Sequence, residues 1–172
     1  MRIHNFLFVA IFALVGFGSS ISAQKIASVD MEKILGSITE YQDAQEQLDQ
    51  LAAKWQQDIS QQYDAIKGMY SKYQAEQVLL SEDQRTTRED EIIAKEQSVQ
   101  KMQRDRFGPE GALFQRRQEL VKPIQDVIYE AIENYANTRG YDFIFDRAGS
   151  AGIIFANDTY DKTDDILRAL KN

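Results

Sequence analysis

The chain has 172 residues, a formal net charge of −7, no cysteine and one histidine, His4. The missing cysteines exclude disulfides and cysteine nucleophiles. His4 lies in the segment 1–23, which is predicted below to be a signal peptide, so Ser-His-Asp triads and ordinary zinc sites are also excluded. An acidic chain is also a poor candidate for nucleic-acid binding, because phosphate contacts require many cations. No G-x-G-x-x-G, Walker or G-x-S-x-G motif is present. We therefore predict that the protein is not an enzyme and requires no cofactor, nucleotide or metal.

The first 23 residues are predicted to be a secretory signal peptide. Arg2 gives a positive start, 6–17 form an apolar run, and 18–23 supply the small-residue exit. Cleavage is expected after Ala23, with Ser22 as the alternative. An uncleaved membrane anchor is a second interpretation, but the apolar run is shorter than the ~20 residues that cross a bilayer.

The segment 24–30 alternates small and apolar residues and is predicted to be a strand. Asp30 then caps a short helix over 31–37, which Gly36 interrupts. Ser37 and Glu40 have the spacing of a capping box, so we expect a long helix to begin there.

Apolar residues then recur every three or four positions, which predicts one long amphipathic helix. Ser81 and Gln84 form a second capping box, so the chain should reverse near 78–82. The positions that define the first helix are Tyr41, Ala44, Leu48, Ala52, Trp55, Ile59, Tyr63, Ile66, Tyr70 and Tyr73.

A second helix follows and ends at Gly140, a C-terminal cap. Gly108, Pro109 and Gly111 interrupt it. One interpretation is a hinge inside the helix, of fixed average geometry with some mobility, because proline and glycine weaken the helix. The other is a plain helix end, with Pro109 at the first position of a new helix.

Two further strands and a closing helix are predicted at the C-terminus. Residues 141–146 and 153–157 have strand patterns, and the loop between them suggests a hairpin. The closing helix is expected to be capped by Asp161 or Thr163.

The predicted fold class is α+β and predominantly α. We call residues 24–36 and 138–172 the body, and the antiparallel helical hairpin 37–137 the arm. An arm helix of ~40 residues is about 60 Å long, so the arm must project from the small body. The body is too small to be stable alone without disulfides or metal, so we expect it to oligomerise. The expected interface residues are Ile26, Val29, Phe143, Phe145, Ile153 and Phe155.

The order of "KIASVDMEKIL", a helical hairpin, "GYDFIFD", "GIIFAN" and a final "D-x-T-x-D-I-L-x-x-L-K" resembles the Skp/OmpH family of periplasmic chaperones. The resemblance implies a homotrimer in the periplasm, whose arms hold unfolded outer-membrane proteins without ATP and prevent their aggregation during transit to the outer membrane. The well-known members are basic whereas this chain is acidic, so we carry over no lipid-binding residues.

Aromatic and methionine side chains on the arm are candidates for client contact, because they suit promiscuous binding. The alternative, which we favour for most of them, is that they close the hairpin. Tyr70 is the stronger candidate for client contact. The full set is Trp55, Tyr63, Met69, Tyr70, Tyr73, Met102, Phe107 and Phe114.

Basic side chains cluster in the second helix, where anionic lipid or acidic clients are possible ligands. Ion pairs across the hairpin, with Asp43, Glu46, Asp49 and Asp58, are the favoured interpretation. A structural coiled-coil spacer or envelope adaptor is the alternative function, although Gly68 and the break at 108–111 disfavour a rigid rod. The cluster comprises Lys101, Arg104, Arg106, Arg116, Arg117 and Lys122.

Overall fold

The computed structural model describes residues 23–149 and 152–171. The fold is α+β and predominantly α, with a long helical hairpin, as the sequence predicts. A 3₁₀ turn, Asp158–Tyr160, precedes the last helix. The elements in chain order are β1 (Ile26–Val29), α1 (Met31–Gly36), α2 (Thr39–Glu76), α3 (Glu82–Phe107), α4 (Ala112–Arg139), β2 (Phe143–Asp146) and α5 (Thr163–Ala169).

The two strands pair in parallel, with Ile26 opposite Phe143 and Val29 opposite Asp146. Strands joined by a tight turn are antiparallel, whereas a parallel pair needs a long crossover. Here the whole arm separates the two strands in the sequence and serves as the long crossover, so the strands can run in the same direction. Both strands occur within the segments that the sequence predicts.

The third strand and the hairpin predicted for 153–157 are wrong for the residues that the structure describes. Residues 152–157 have no strand partner, and Ile154 and Phe155 are exposed. The second edge of β1 is occupied by a single bridge between Ser28 and Asp161, where the Lys162 N–H donates to the Ser28 carbonyl at 2.8 Å. The segment that contacts β1 is therefore Asp161 and Lys162, which follow the predicted strand 153–157.

The body has one hydrophobic core, to which β1, α1, α4 and α5 each contribute a buried side chain. Ile144 of β2 packs against this core. The C-terminal half of α4 is thus shared between the arm and the body. The four buried residues are Val29, Ile34, Ile128 and Ile166.

The arm is built on α2, which runs without interruption for 38 residues, or about 57 Å. Near the body, Ala44 and Leu48 of α2 pack with Val121 of α4. Further out, Ile59 and Ile66 pack with Val99 of α3. The predicted apolar stripe is therefore the contact line of the hairpin.

Three helix ends follow the sequence signals, and one does not. Ser81 forms the predicted capping box with Gln84, Asp30 caps α1, and Gly140 has the left-handed conformation, with φ of 67°. The capping box predicted at Ser37 is wrong, because the Ser37 hydroxyl donates to the Lys33 carbonyl at 2.7 Å and terminates α1 instead. Ile38 occupies the N-cap position of α2, without a side-chain cap.

The last helix is capped close to the predicted position. Lys162 formally precedes α5, but the Asp161 carboxylate accepts the Thr163 backbone N–H at 2.9 Å. The same carboxylate accepts the Thr163 hydroxyl at 2.5 Å. Asp161 thus satisfies the first free amide of the helix.

None of the helices between residues 23 and 149 or between 152 and 171 combines the length and apolar character that crossing a membrane requires. The predicted signal peptide lies outside the described residues, apart from Ala23.

Candidate functional site

The break in the returning half of the arm is a complete interruption of the helix. α3 ends at Phe107 and α4 begins at Ala112, with Gly111 as its N-cap. Pro109 therefore lies between two helices. The helix end of the second interpretation is present, but Pro109 is neither inside a helix nor at the first helical position. The Gly111 N–H donates to the Gly108 carbonyl at 2.9 Å and closes a tight turn.

Both glycines are required by close backbone contacts. A Cβ atom on Gly108 would lie 2.5 Å from the Arg104 carbonyl oxygen. A Cβ on Gly111 would lie 2.9 Å from both the Arg106 carbonyl oxygen and the Gly108 nitrogen. Backbone atoms cannot move aside as a flexible side chain can, so only glycine fits this turn.

An aromatic cluster joins the break to α2. The rings of Trp55 and Phe107 meet edge to face, with centroids 6.0 Å apart. The Arg106 guanidinium lies 5.4 Å from the Trp55 ring centroid and 3.1 Å from an Asp58 carboxylate oxygen. Trp55 and Phe107, which were candidates for client contact, thus help to close the hairpin.

Further out, three tyrosines of α2 donate hydrogen bonds across the arm to α3. Tyr63 donates to Gln103 at 3.3 Å and Tyr70 donates to Glu96 at 3.1 Å. Tyr73 donates to Glu89. The hydrogen bond to the carboxylate raises the pKa of Tyr70, and the bond to Glu89 raises the pKa of Tyr73, because each favours the neutral phenol.

The eight candidate contact residues therefore divide into two groups. Trp55, Met69, Tyr73, Met102 and Phe107 are partly buried, and Met102 and Phe107 pack on the outer hydrophobic cluster. Tyr63, Tyr70 and Phe114 keep between 41% and 45% of their surface exposed. The structure brings Tyr63 and Tyr70 together on one side of α2, whereas Phe114 lies on α4, beyond the break.

The basic cluster does not form the predicted set of ion pairs across the hairpin. Within the part of the chain that the structure describes, Arg106 is the one member of the cluster that forms an ion pair across the hairpin, with Asp58. Because oppositely charged residues stand three or four positions away on the same helix, local pairing needs no cross-hairpin contact. The local pairs are Lys101 with Asp105, Arg116 with Glu119 and Lys122 with Asp126.

Three exposed features of the arm were missed by the sequence reasoning. Val78 and Leu79 are strongly exposed at the turn, and Ile93 is half exposed on α3. Pro123 lies inside α4, and its missing N–H leaves the carbonyl four residues earlier without a helical donor. The proline was visible in the sequence, but the intact apolar stripe around it predicted a continuous helix.

The body exposes an apolar surface at its sheet. Phe143 and Phe145 stack with centroids 6.1 Å apart and are 48% and 43% exposed. A groove of about 420 Å³ runs beside Ile26, Phe145, Ile153 and Phe155. Val29 was predicted to lie at an interface between subunits, but it is buried in the core of its own chain.

Polar side chains connect α4 to α5 in the body. Tyr135 donates to Asp165 at 2.7 Å, and Arg168 also pairs with Asp165. The hydrogen bond from Tyr135 holds the pKa of Asp165 below its ordinary value of 3.8. Burial would raise the pKa of Asp161, but the hydrogen bonds from Thr163 outweigh it and the pKa is lowered.

The described residues thus form a small α/β body that carries a long helical hairpin. Residues 25–170 match the family model described as outer membrane protein (OmpH-like), so the chain belongs to the OmpH-like family. The match spans both the body and the arm and confirms the resemblance to Skp/OmpH proteins.

Six chains of solved structures match the fold. One is a crystal structure, at 2.83 Å, of an OmpH-like candidate outer membrane chaperone from Caulobacter crescentus CB15. The TM-score is 0.67 at 14% sequence identity, and the alignment covers 87% of this chain and 85% of that one. At this identity the similarity concerns the fold alone. None of the curated proteins matches the sequence significantly.

The OmpH-like family is a periplasmic, non-enzymatic family of outer-membrane chaperones. Family membership therefore agrees with the sequence-based prediction that this chain is not an enzyme.

Proposed function

We propose that the protein is an ATP-independent holdase of the periplasm, which binds unfolded outer-membrane proteins between its arms and prevents their aggregation on the way to the outer membrane. The observation that carries this proposal is the exposure of Tyr63, Tyr70 and Phe114 on a projecting arm. Exposed aromatic side chains that recur along an arm are typical of a surface that binds other polypeptides.

In this proposal the chain is secreted through the signal peptide 1–23 and forms a homotrimer. The body, 24–36 and 138–172, holds the trimer, and the arm, 37–137, holds the client. The exposure of Phe143, Phe145 and Phe155 supports a contact between copies of the body. Three arms around one client also present more surface than a single hairpin.

The break at Gly108, Pro109 and Gly111 is proposed as a point of adjustment in the arm. The helical hydrogen bonding stops at Gly108, whose N–H bonds to the Arg104 carbonyl, and Pro109 and Glu110 belong to neither helix, which favours local bending. Because α2 runs unbroken past the same level, a large bend there would also have to bend α2. We therefore propose a small change in the angle between α3 and α4, which adapts the arm to clients of different size.

The alternative function, a structural spacer, would be favoured by the continuous α2. A spacer function gives no reason for the complete interruption between α3 and α4. It also does not explain why aromatic residues are exposed on both sides of this break. These two features together favour an arm that binds clients over a rigid spacer.

The test is an aggregation assay with an unfolded β-barrel membrane protein diluted from urea. The protein should keep the client soluble without nucleotide, and a chelator should not change the result. A variant with Tyr63→Ala, Tyr70→Ala and Phe114→Ala should retain its helix content and lose most of the effect. If the unchanged protein does not delay aggregation at a molar excess, the proposed function is wrong.

A further inference from the structure

The hairpin of α2 and α3 has two chemically different seams. We call the first the tyrosine seam: Tyr63, Tyr70 and Tyr73 with their acceptors on α3. The acceptors stand seven residues apart, so they lie on one face of α3. On the other side of the buried contact at Val99, Lys95 bonds to Gln62 and Arg106 bonds to Asp58. The three acceptors are Glu89, Glu96 and Gln103.

The tyrosine seam presents aromatic surface that is already ordered. Tyr63 and Tyr70 are 45% and 41% exposed although their hydroxyls are bonded across the hairpin. Ile93, three residues before Glu96, adds a side chain that is 48% exposed on the same side of α3. Rings held in place before binding lose little conformational entropy when a partner covers them.

The electrostatic surroundings of this surface are acidic. Two of the three acceptors are carboxylates, and Glu82 adds a further acidic group near Tyr73. Lys67, one turn after Tyr63, and Arg85, near Tyr73, supply positive charges. Between residues 39 and 107 the chain carries fourteen acidic and nine basic side chains. A surface of this balance repels acidic segments and attracts cationic ones.

The chemistry of the rings favours the same partners. Lysine and arginine bind over the faces of tyrosine rings. A phenol that donates to a carboxylate is polarised by that bond, which increases the negative charge on the ring face. Tyr70 is bonded in this way to Glu96 and Tyr73 to Glu89, whereas Tyr63 is bonded to a neutral amide.

We propose that the tyrosine seam is the client-binding surface of the arm, and that it selects extended, unfolded segments in which aromatic residues neighbour lysine or arginine. The aromatic side chains of the segment pack against Tyr63, Tyr70 and Ile93, and its lysine or arginine side chains form ion pairs with Glu89 and Glu96. This inference rests on the proposed holdase function and adds the chemical class of the bound segment.

The experiment compares two short, unstructured, fluorescently labelled peptides with the same aromatic residues, one carrying arginines and the other glutamates at the intervening positions. Binding is measured by anisotropy on the full-length processed protein at low and high salt. The arginine peptide should bind at least about tenfold more tightly at low salt, and the ratio should fall at high salt.

The variant Glu89→Gln with Glu96→Gln retains hydrogen-bond acceptors for the tyrosines and removes two charges. It should reduce the preference between the peptides to about threefold or less. Asp83→Asn with Asp90→Asn removes two charges from exposed positions elsewhere on α3 and is the matched control; it should retain the preference. Tyr63→Ala with Tyr70→Ala should weaken the binding of both peptides. Circular dichroism checks that each variant is folded.

Equal binding of the two peptides, or tighter binding of the glutamate peptide, would overturn the inference. So would a preference that survives Glu89→Gln with Glu96→Gln, or that the control variant reduces equally. Aggregation of an unfolded β-barrel protein is measured on the same samples. If the protein holds that client but lacks the peptide preference, the inference alone fails; if it does not hold the client, the proposed function fails.

Discussion

Gly108 and Gly111 illustrate how single residues determine the course of the arm. Neither has a positive φ, so their requirement for glycine comes from the space around Cβ and not from backbone strain. Gly68, inside α2 and eight residues before its end, has no neighbouring atom within 4 Å of the place that a Cβ would occupy. Gly108 and Gly111 are therefore required by the lack of space for a Cβ, whereas Gly68 is not. The sequence pattern alone does not distinguish these two cases.

We expect Gly108→Ala to destabilise the arm by about 2 kcal/mol, because the new Cβ would meet the Arg104 carbonyl oxygen. Gly68→Ala should stabilise it by about 1 kcal/mol through helix propensity. Urea denaturation followed by circular dichroism measures both free energies. A Gly108→Ala variant that is as stable as Gly68→Ala would contradict the tight turn.

The hydrogen bond between Tyr135 and Asp165 makes the stability of the body depend on pH. The pKa of Asp165 is lowered in the folded state, so its contribution is present above the ordinary value of 3.8 and is lost as the pH falls below it. Asp165 keeps about a third of its side chain exposed, and solvent screening reduces the effect.

Tyr135→Phe should therefore lower the free energy of unfolding by about 1 kcal/mol at pH 7, and the difference should shrink as the pH falls below 3.8. Tyr129→Phe, at an exposed position, is the control and should change little. Urea denaturation at pH 7 and pH 3 makes the comparison. A difference of equal size at both values would mean that lost packing, and not the charge, is responsible.

At the scale of elements, the helices were predictable because their signals are local. The stripe from Tyr41 to Tyr73, the capping box at Ser81 and the cap at Gly140 each depend on residues a few positions apart. The pairing of β1 with β2 depends on residues more than a hundred positions apart, so the pattern of 153–157 was wrongly taken as a hairpin partner.

The candidate site was only partly predictable, because the exposure of its side chains depends on contacts between distant segments. Periodicity places Tyr63 and Phe107 near the arm contact, but exposure depends on the crossing of two helices. Trp55 is covered because Phe107 and Arg106 stand opposite it, at the end of α3. The tyrosine seam likewise requires the register between α2 and α3, which no short segment contains.

At the scale of the whole molecule, the body exposes Phe143 and Phe145 while its own core lies on the other face of the sheet, around Ile144. The exposed ring is not part of the core of its own chain, so a substitution there should act on assembly more than on folding.

We expect the processed protein to be a trimer and Phe143→Asp to dissociate it, because the introduced carboxylate would have to be buried at the interface without a partner. Phe114→Asp, at an arm position of similar exposure, is the control and should leave the trimer intact. Light scattering gives the masses, and circular dichroism should show that both variants keep their helices. A Phe143→Asp variant that stays trimeric would place the interface elsewhere.

The parallel pairing of β1 with β2 also orders the events of folding. The backbone N–H of Lys25 bonds to Asp142, 117 residues later, whereas the hairpin of α2 and α3 closes through a five-residue turn. Closing the long loop costs more chain entropy, so the arm should form first and the body last. Pulse-labelled hydrogen exchange during refolding should protect the amides of α2 before those of β1. If the chain is exported through the signal peptide 1–23, as proposed, β1 would remain unpaired until residues 143–146 have also been exported.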